Sequence, residues 1–256
     1  MYVSVKVFLA SYRNEWDKLM RRKKYIVLLC IGIGICLIWA GLGQLLSGFI
    51  SRRGGLSLSL APAPMGALPI FLQVLIPFLM FMGVTDLITV EGADQTMKAI
   101  LCRPVERWKL YTSKILAVVT YAALYLTCIF VICVVLNQLL GKPLSFEGTL
   151  IALVSYALTL IPLAVLASFA AFVSLFGRSG TLTMFLLLLM YLLLNVLPLF
   201  LPVLTEMLFT SYLGWYRLWI GALPGASKLI QMLATVFGYG VVFFTAGSLI
   251  FDRKEY

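Results

Sequence analysis

The sequence contains no histidine. That removes HExxH metalloproteases, histidine proton relays and Ser-His-Asp hydrolases in one step. Charge is nearly as scarce: 12% of residues are charged, against about 25% in an ordinary soluble chain, and 62% are hydrophobic. So little polar surface cannot cover a soluble domain, and the chain reads as an integral membrane protein. Acidic residues number ten against twenty basic ones, a net charge of +10. In a soluble protein that excess would suggest nucleic acid. Here the cations flank apolar runs, where they set topology and meet anionic lipid, so nucleic acid is not an expected partner. The five cysteines are Cys30, Cys36, Cys102, Cys128 and Cys133. Four fall in apolar runs and one in a charged stretch, so none reads as a disulfide framework or a metal cluster. A P-loop is missing too: the Gly141-Lys142 pair is followed by proline, and no soluble stretch is long enough to hold an ATPase.

What is present is six apolar segments, each near the roughly 20 residues needed to cross a bilayer. They run over about 25–50, 67–90, 115–136, 149–176, 182–204 and 228–251. The first is too long for the core of a cleavable signal peptide and reads as an uncleaved span. Residues 205–227 are aromatic and amphipathic, carrying Glu206 and Arg217. They are too polar for a seventh span and are expected to lie in, or dip into, the outer interface. Counting lysine and arginine orients the chain. With both termini cytoplasmic, the inner segments hold fifteen and the outer loops five.

Before the first span, Val5, Phe8, Leu9, Tyr12, Trp16, Leu19 and Met20 recur at helical spacing, with Lys6, Arg13, Asp17, Lys18, Arg21 and Arg22 on the other side. The pattern predicts a basic amphipathic helix over residues 1–24, lying on the inner membrane surface. A basic flank that merely sets topology would not need the apolar period. Inside the spans, Gln73 and Asn195 are candidates for helix-to-helix hydrogen bonds or for lining a path, and bonding is the commoner role. Asp86 is close to the inner end of the second span, where a structural role is expected. Pro69, Pro77, Pro162, Pro198 and Pro202 should bend or break their helices.

Residues 91–114 concentrate charge between the second and third spans. Asp94 reads as an N-cap for a short apolar stripe of Met97, Ile100 and Leu101, closed by Pro104, with Arg103 among the basic residues of the loop. Glu106 and Arg107 follow, and Val105, Trp108 and Tyr111 lead helically toward the third span. A loop that only fixes topology would not require Glu91, Asp94 and Glu106, nor the order helix, break, helix.

This stretch resembles the signature of ABC-2 type transporter permeases, the membrane subunits of many bacterial ATP-binding-cassette exporters. In that family a glutamate is followed by Gly-Thr, a short apolar helix, a Pro-Val-x-Arg turn and a lysine opening the third span. Glu91, Thr96, Ile100, Leu101, Pro104, Val105, Arg107 and Lys114 stand at the matching spacings, with Gln95 replacing the usual glycine. The amphipathic N-terminus, six spans, aromatic segment and Phe251-to-Lys254 ending extend the resemblance. It implies an all-α membrane fold of the type V exporter kind, an amphipathic substrate moved outward, and a coupling loop seated in a separate ATPase. Two ATPase subunits would bind the ATP and Mg, and a second permease subunit, identical or related, would complete the complex. The chain itself would then be no enzyme and carry no cofactor or metal. Location in the plasma membrane of a bacterium follows, and the short outer loops suit a single-membrane Gram-positive cell. A non-translocating sensor or immunity protein on the same fold, a secondary transporter and an intramembrane enzyme are the rivals. The transporter lacks midplane acids and inverted repeats, and the enzyme lacks a catalytic set.

Overall fold

The computed structural model describes residues 2–53, 64–94, 106–141, 145–201, 205, 207–219 and 226–254. Among them there is no strand. Seven helices are ordered α1 (Tyr2–Arg21), α2 (Lys23–Arg53), α3 (Pro64–Ala93), α4 (Arg107–Leu139), α5 (Phe146–Ser174), α6 (Gly180–Phe200) and α7 (Ala226–Arg253). An eleven-residue 3-10 helix, Phe209–Trp219, precedes α7. Six helices, α2 to α7, are long and apolar enough to cross a membrane. Backbone groups must be satisfied within each segment in hydrocarbon, which is why runs of leucine, valine and β-branched residues adopt helix here regardless of their propensity in water.

α4 begins at Arg107, well before the apolar run at Ile115. Its 33 residues span about 50 Å, more than the roughly 30 Å hydrocarbon core, so charged turns stand outside the membrane at one end. α3 is the central helix: 61% of its best apolar window is buried, against 11% in both α6 and α7. Two π-turns interrupt it, at Phe71–Leu75 and Asp86–Val90. Pro77 lacks the N–H that would bond the carbonyl of Gln73 one turn earlier, and the first π-turn lies just before it. In α5, helix geometry is interrupted at Thr159, three residues before Pro162.

The core is aromatic where helices converge. Tyr25 and Tyr121 meet edge-on at 5.3 Å, with Trp16 of α1 adding a contact at 6.4 Å. A second cluster joins Phe169 of α5, Phe209, and Phe243 and Tyr239 of α7. The same contacts seat part of the 205–227 segment against the spans. Phe209, Tyr212, Leu213, Trp215 and Tyr216 are buried among the spans. The aromatic periodicity reports a face that packs, and in this case protein covers it.

Candidate functional site

Four charged side chains close a ring at one end of the bundle. Glu15 and Lys18 lie one turn apart on α1, Glu91 ends α3, and Lys114 is two turns into α4. The Lys114 ammonium donates to Glu91 Oε2 at 2.6 Å and to Glu15 Oε2 at 3.0 Å. Lys18 donates to the other oxygen of each carboxylate, at 2.8 Å and 2.9 Å. Two cations and two anions therefore alternate with no net charge. Glu15 is 0% exposed, Lys114 1% and Glu91 6%, so these three are inside the protein, and the half-buried Lys18 closes the ring at its edge. Burial is unfavourable for charge unless every partner is in place, and here each carboxylate has two ammonium donors. Desolvation works against the Lys18 ammonium, but the Glu15 and Glu91 carboxylates outweigh it and hold its pKa above the ordinary lysine value.

Asp86 anchors a second junction one turn deeper in α3. Its Oδ2 accepts from the Tyr25 hydroxyl at 2.6 Å and pairs with Arg22 at 3.0 Å and with Lys24. These three residues form the elbow where α1 gives way to α2, with the bend at Arg22. Ser11 meets Ser113, and Tyr12 donates to Thr120, so the inward face of α1 is seated on α4. A third set of bonds reaches the C-terminus. Arg107 donates to the carbonyls of Asp252 (2.6 Å) and Lys254 (3.1 Å), Lys254 donates to the Leu175 carbonyl, and Thr89 donates to the Ser174 carbonyl at 2.9 Å. Helices α1, α3, α4, α5 and α7 are thus cross-linked at one end by polar contacts, and the base of the 94–106 loop sits among them.

The residues singled out from sequence divide accordingly. Glu91, Arg107 and Lys114 belong to these junctions. Glu106 is exposed, pairs with Lys109 and accepts from the Trp108 indole; those two bonds hold its carboxyl below the usual range. Asp94 is exposed and ends α3, its N–H bonded to the Val90 carbonyl. Gln95, Thr96, Met97, Ile100, Leu101, Arg103 and Pro104 lie outside the described residues, and so does the helix Asp94 was expected to cap. On α1, Phe8, Tyr12 and Trp16 are half-buried, Arg22 is tied to Asp86, and Arg21 is exposed. Lys18, assigned by its charge to the solvated side, is instead drawn inward by two carboxylates.

Glu15 is the residue that sequence reasoning missed. It sits between Tyr12 and Leu19 on the apolar face of α1, and an acid in the middle of such a face is the signal that was available.

Gln73 and Asn195 come together in a different place. A groove of about 600 Å³ between α3 and α6 is lined by both, with Pro77, Phe78, Tyr191 and Leu192. The Gln73 carbonyl, deprived of its helical donor by Pro77, accepts from the Tyr191 hydroxyl at 3.1 Å. Asn195 donates to the Tyr191 carbonyl at 2.8 Å. Among the described residues no cluster of potential metal ligands occurs.

Six apolar helices locked at one end by buried charge define a multi-pass membrane protein. The profile described as ABC-2 family transporter protein matches residues 12–195, and the chain belongs to that family. The matched region holds the charge ring, the Asp86 junction and the α3–α6 groove. Membership makes the chain a permease component of an ABC transporter, a class that works with ABC ATPase partners. No individual curated protein matches the chain significantly.

Proposed function

We propose that the chain is the permease subunit of an ATP-binding-cassette exporter. It would move an amphipathic substrate (peptide, antibiotic, lipid or glycan) outward across the plasma membrane of a bacterium. ATP and Mg are bound by two separate cytoplasmic ATPase subunits, and a second permease, identical or related, completes the path. Both termini and the 91–114 loop face the cytoplasm, an orientation supported by the excess of lysine and arginine in those segments.

The observation that carries this reading is the charge ring in a chain of the ABC-2 family. Glu91 and Lys114 are too buried to touch an ATPase. Their role is to clamp the two ends of the loop to each other and to α1, so that a push on the loop moves three helices as one body. Arg107 extends that body to the end of α7. Glu106, Arg107 and the residues from Asp94 to Pro104, with Thr96, Met97, Ile100, Leu101 and Arg103, are the contact set. The α3–α6 groove is the candidate path. Its apolar wall suits an acyl or side-chain surface, and the Gln73 and Asn195 amides offer polar contacts. The π-turn before Pro77 is where α3 can bend to open it.

Two measurements test the reading. In vesicles containing permease and ATPase subunits, Glu106→Gln with Arg107→Gln, both in the contact set and outside the buried ring, is expected to leave membrane insertion intact. The permease should then no longer alter hydrolysis relative to the ATPase alone. Unchanged hydrolysis and transport in that variant would remove the coupling role. Second, a cysteine placed at Thr205 or Met207 should react with a membrane-impermeant maleimide added outside intact cells. Reaction only after the cells are opened would reverse the orientation.

A further inference from the structure

From Gly148 to Thr205 the chain carries a single charged residue, Arg178. It stands in the short connection between α5 and α6. It is exposed and has no hydrogen-bond or ion-pair partner among the described residues. The connection is drawn tight at both ends. A Cβ on Gly177 would fall 1.9 Å from the Thr183 hydroxyl, and one on Gly180 would fall 2.6 Å from a Val90 methyl. Arg178 is therefore held between two points of close backbone approach rather than on a free loop. Directly below it a groove of about 520 Å³ runs between α5 and α6, lined by Phe172, Phe176, Leu182, Leu186 and Met190 with Arg178 at the rim. The rim lies at the charge-locked end, since Ser174 and Leu175 beside it bond Thr89 and Lys254.

We propose that this groove binds an anionic membrane phospholipid, its phosphate on the Arg178 guanidinium and one acyl chain along the aromatic and aliphatic wall. The combination matches both halves of that molecule: a fork of N–H donors suited to phosphate, at the level where headgroups lie, above an apolar channel open sideways to hydrocarbon. A second copy of the chain is the weaker occupant, because the same segment of a symmetric partner brings only another arginine and no counter-charge. The site does not depend on transport or on an ATPase, so it stands or falls apart from the exporter reading.

The test is photolabelling of the full-length chain in phosphatidylcholine vesicles containing some phosphatidylglycerol with a diazirine on its acyl chain, followed by peptide mapping. Labelling is expected within residues 172–190 and should be displaced by unlabelled phosphatidylglycerol but not by added phosphatidylcholine. Arg178→Gln should lower it about fivefold, the worth of one cation near a headgroup. Arg178→Lys should keep most of it, and Leu186→Trp, which fills the groove, should lower it with the arginine intact. Protease mapping of vesicle orientation separates lost binding from inverted insertion in Arg178→Gln. Equal labelling of correctly inserted Arg178→Gln, or equal displacement by phosphatidylcholine, would overturn the proposal. So would a disulfide between two Leu186→Cys chains that removes the label.

Discussion

Replacing Lys114 with methionine is expected to destabilise the folded chain by about 3–5 kcal/mol, the range for removing one partner from a buried ion network. Methionine fits the space, so packing changes little; the loss comes from charge. Glu15 and Glu91 would face each other across the vacated site with only Lys18 between them, and Glu15 has no access to solvent. Thermal unfolding in detergent and the yield of folded chain in the membrane fraction would read the effect. A neutral ring is the control that separates charge from shape. Adding Lys18→Gln, Glu15→Gln and Glu91→Gln to Lys114→Met should recover most of the loss, because replacing a whole buried network is often close to neutral. A Lys114→Met chain as stable as the original would mean that the ring carries no strain of unpaired charge. The Glu106–Lys109 pair, whose carboxylate is 58% exposed, offers the contrast, and Glu106→Gln should leave stability nearly unchanged.

Asp86→Ala is expected to cost less, about 1–3 kcal/mol, and to act at a different place. Its two cationic partners, Arg22 and Lys24, are 34% and 43% exposed and can turn to water when the carboxylate is gone. The Tyr25 hydroxyl cannot, since Tyr25 is 1% exposed, so most of the cost falls on that stranded donor. Tyr25→Phe in the Asp86→Ala background should therefore restore stability in part. The elbow between α1 and α2 should open, and trypsin should cut at Arg21 and Lys23 about tenfold faster, as a shift near 1.4 kcal/mol requires when cleavage tracks the open population. Cleavage at the original rate would show that α1 is held by its seat on α4 alone.

The sequence by itself determined the class of protein. Six runs of apolar residues and a surplus of cations beside them follow from the bilayer's dimensions and need no tertiary information. The helical period of α1 and the charge-rich character of residues 91–114 were equally readable, and so was the candidacy of Gln73, Asp86 and Asn195 as polar residues in an oily background. What each of these touches was not. In a membrane, lipid and protein neighbours are equally apolar, so periodicity marks a face without saying what covers it. Tyr212, Trp215 and Tyr216 are the case in point: the sequence marks an aromatic face, and the spans cover it. Only the tertiary structure decided that Glu15 is the counter-charge of Lys114. Those residues are 99 positions apart, and no local rule links an acid on an amphipathic helix to a lysine two turns into a span. The pairing arises because α1 folds back on α4, which brings the Lys114 ammonium to a buried carboxylate whose other cation, Lys18, lies on its own helix.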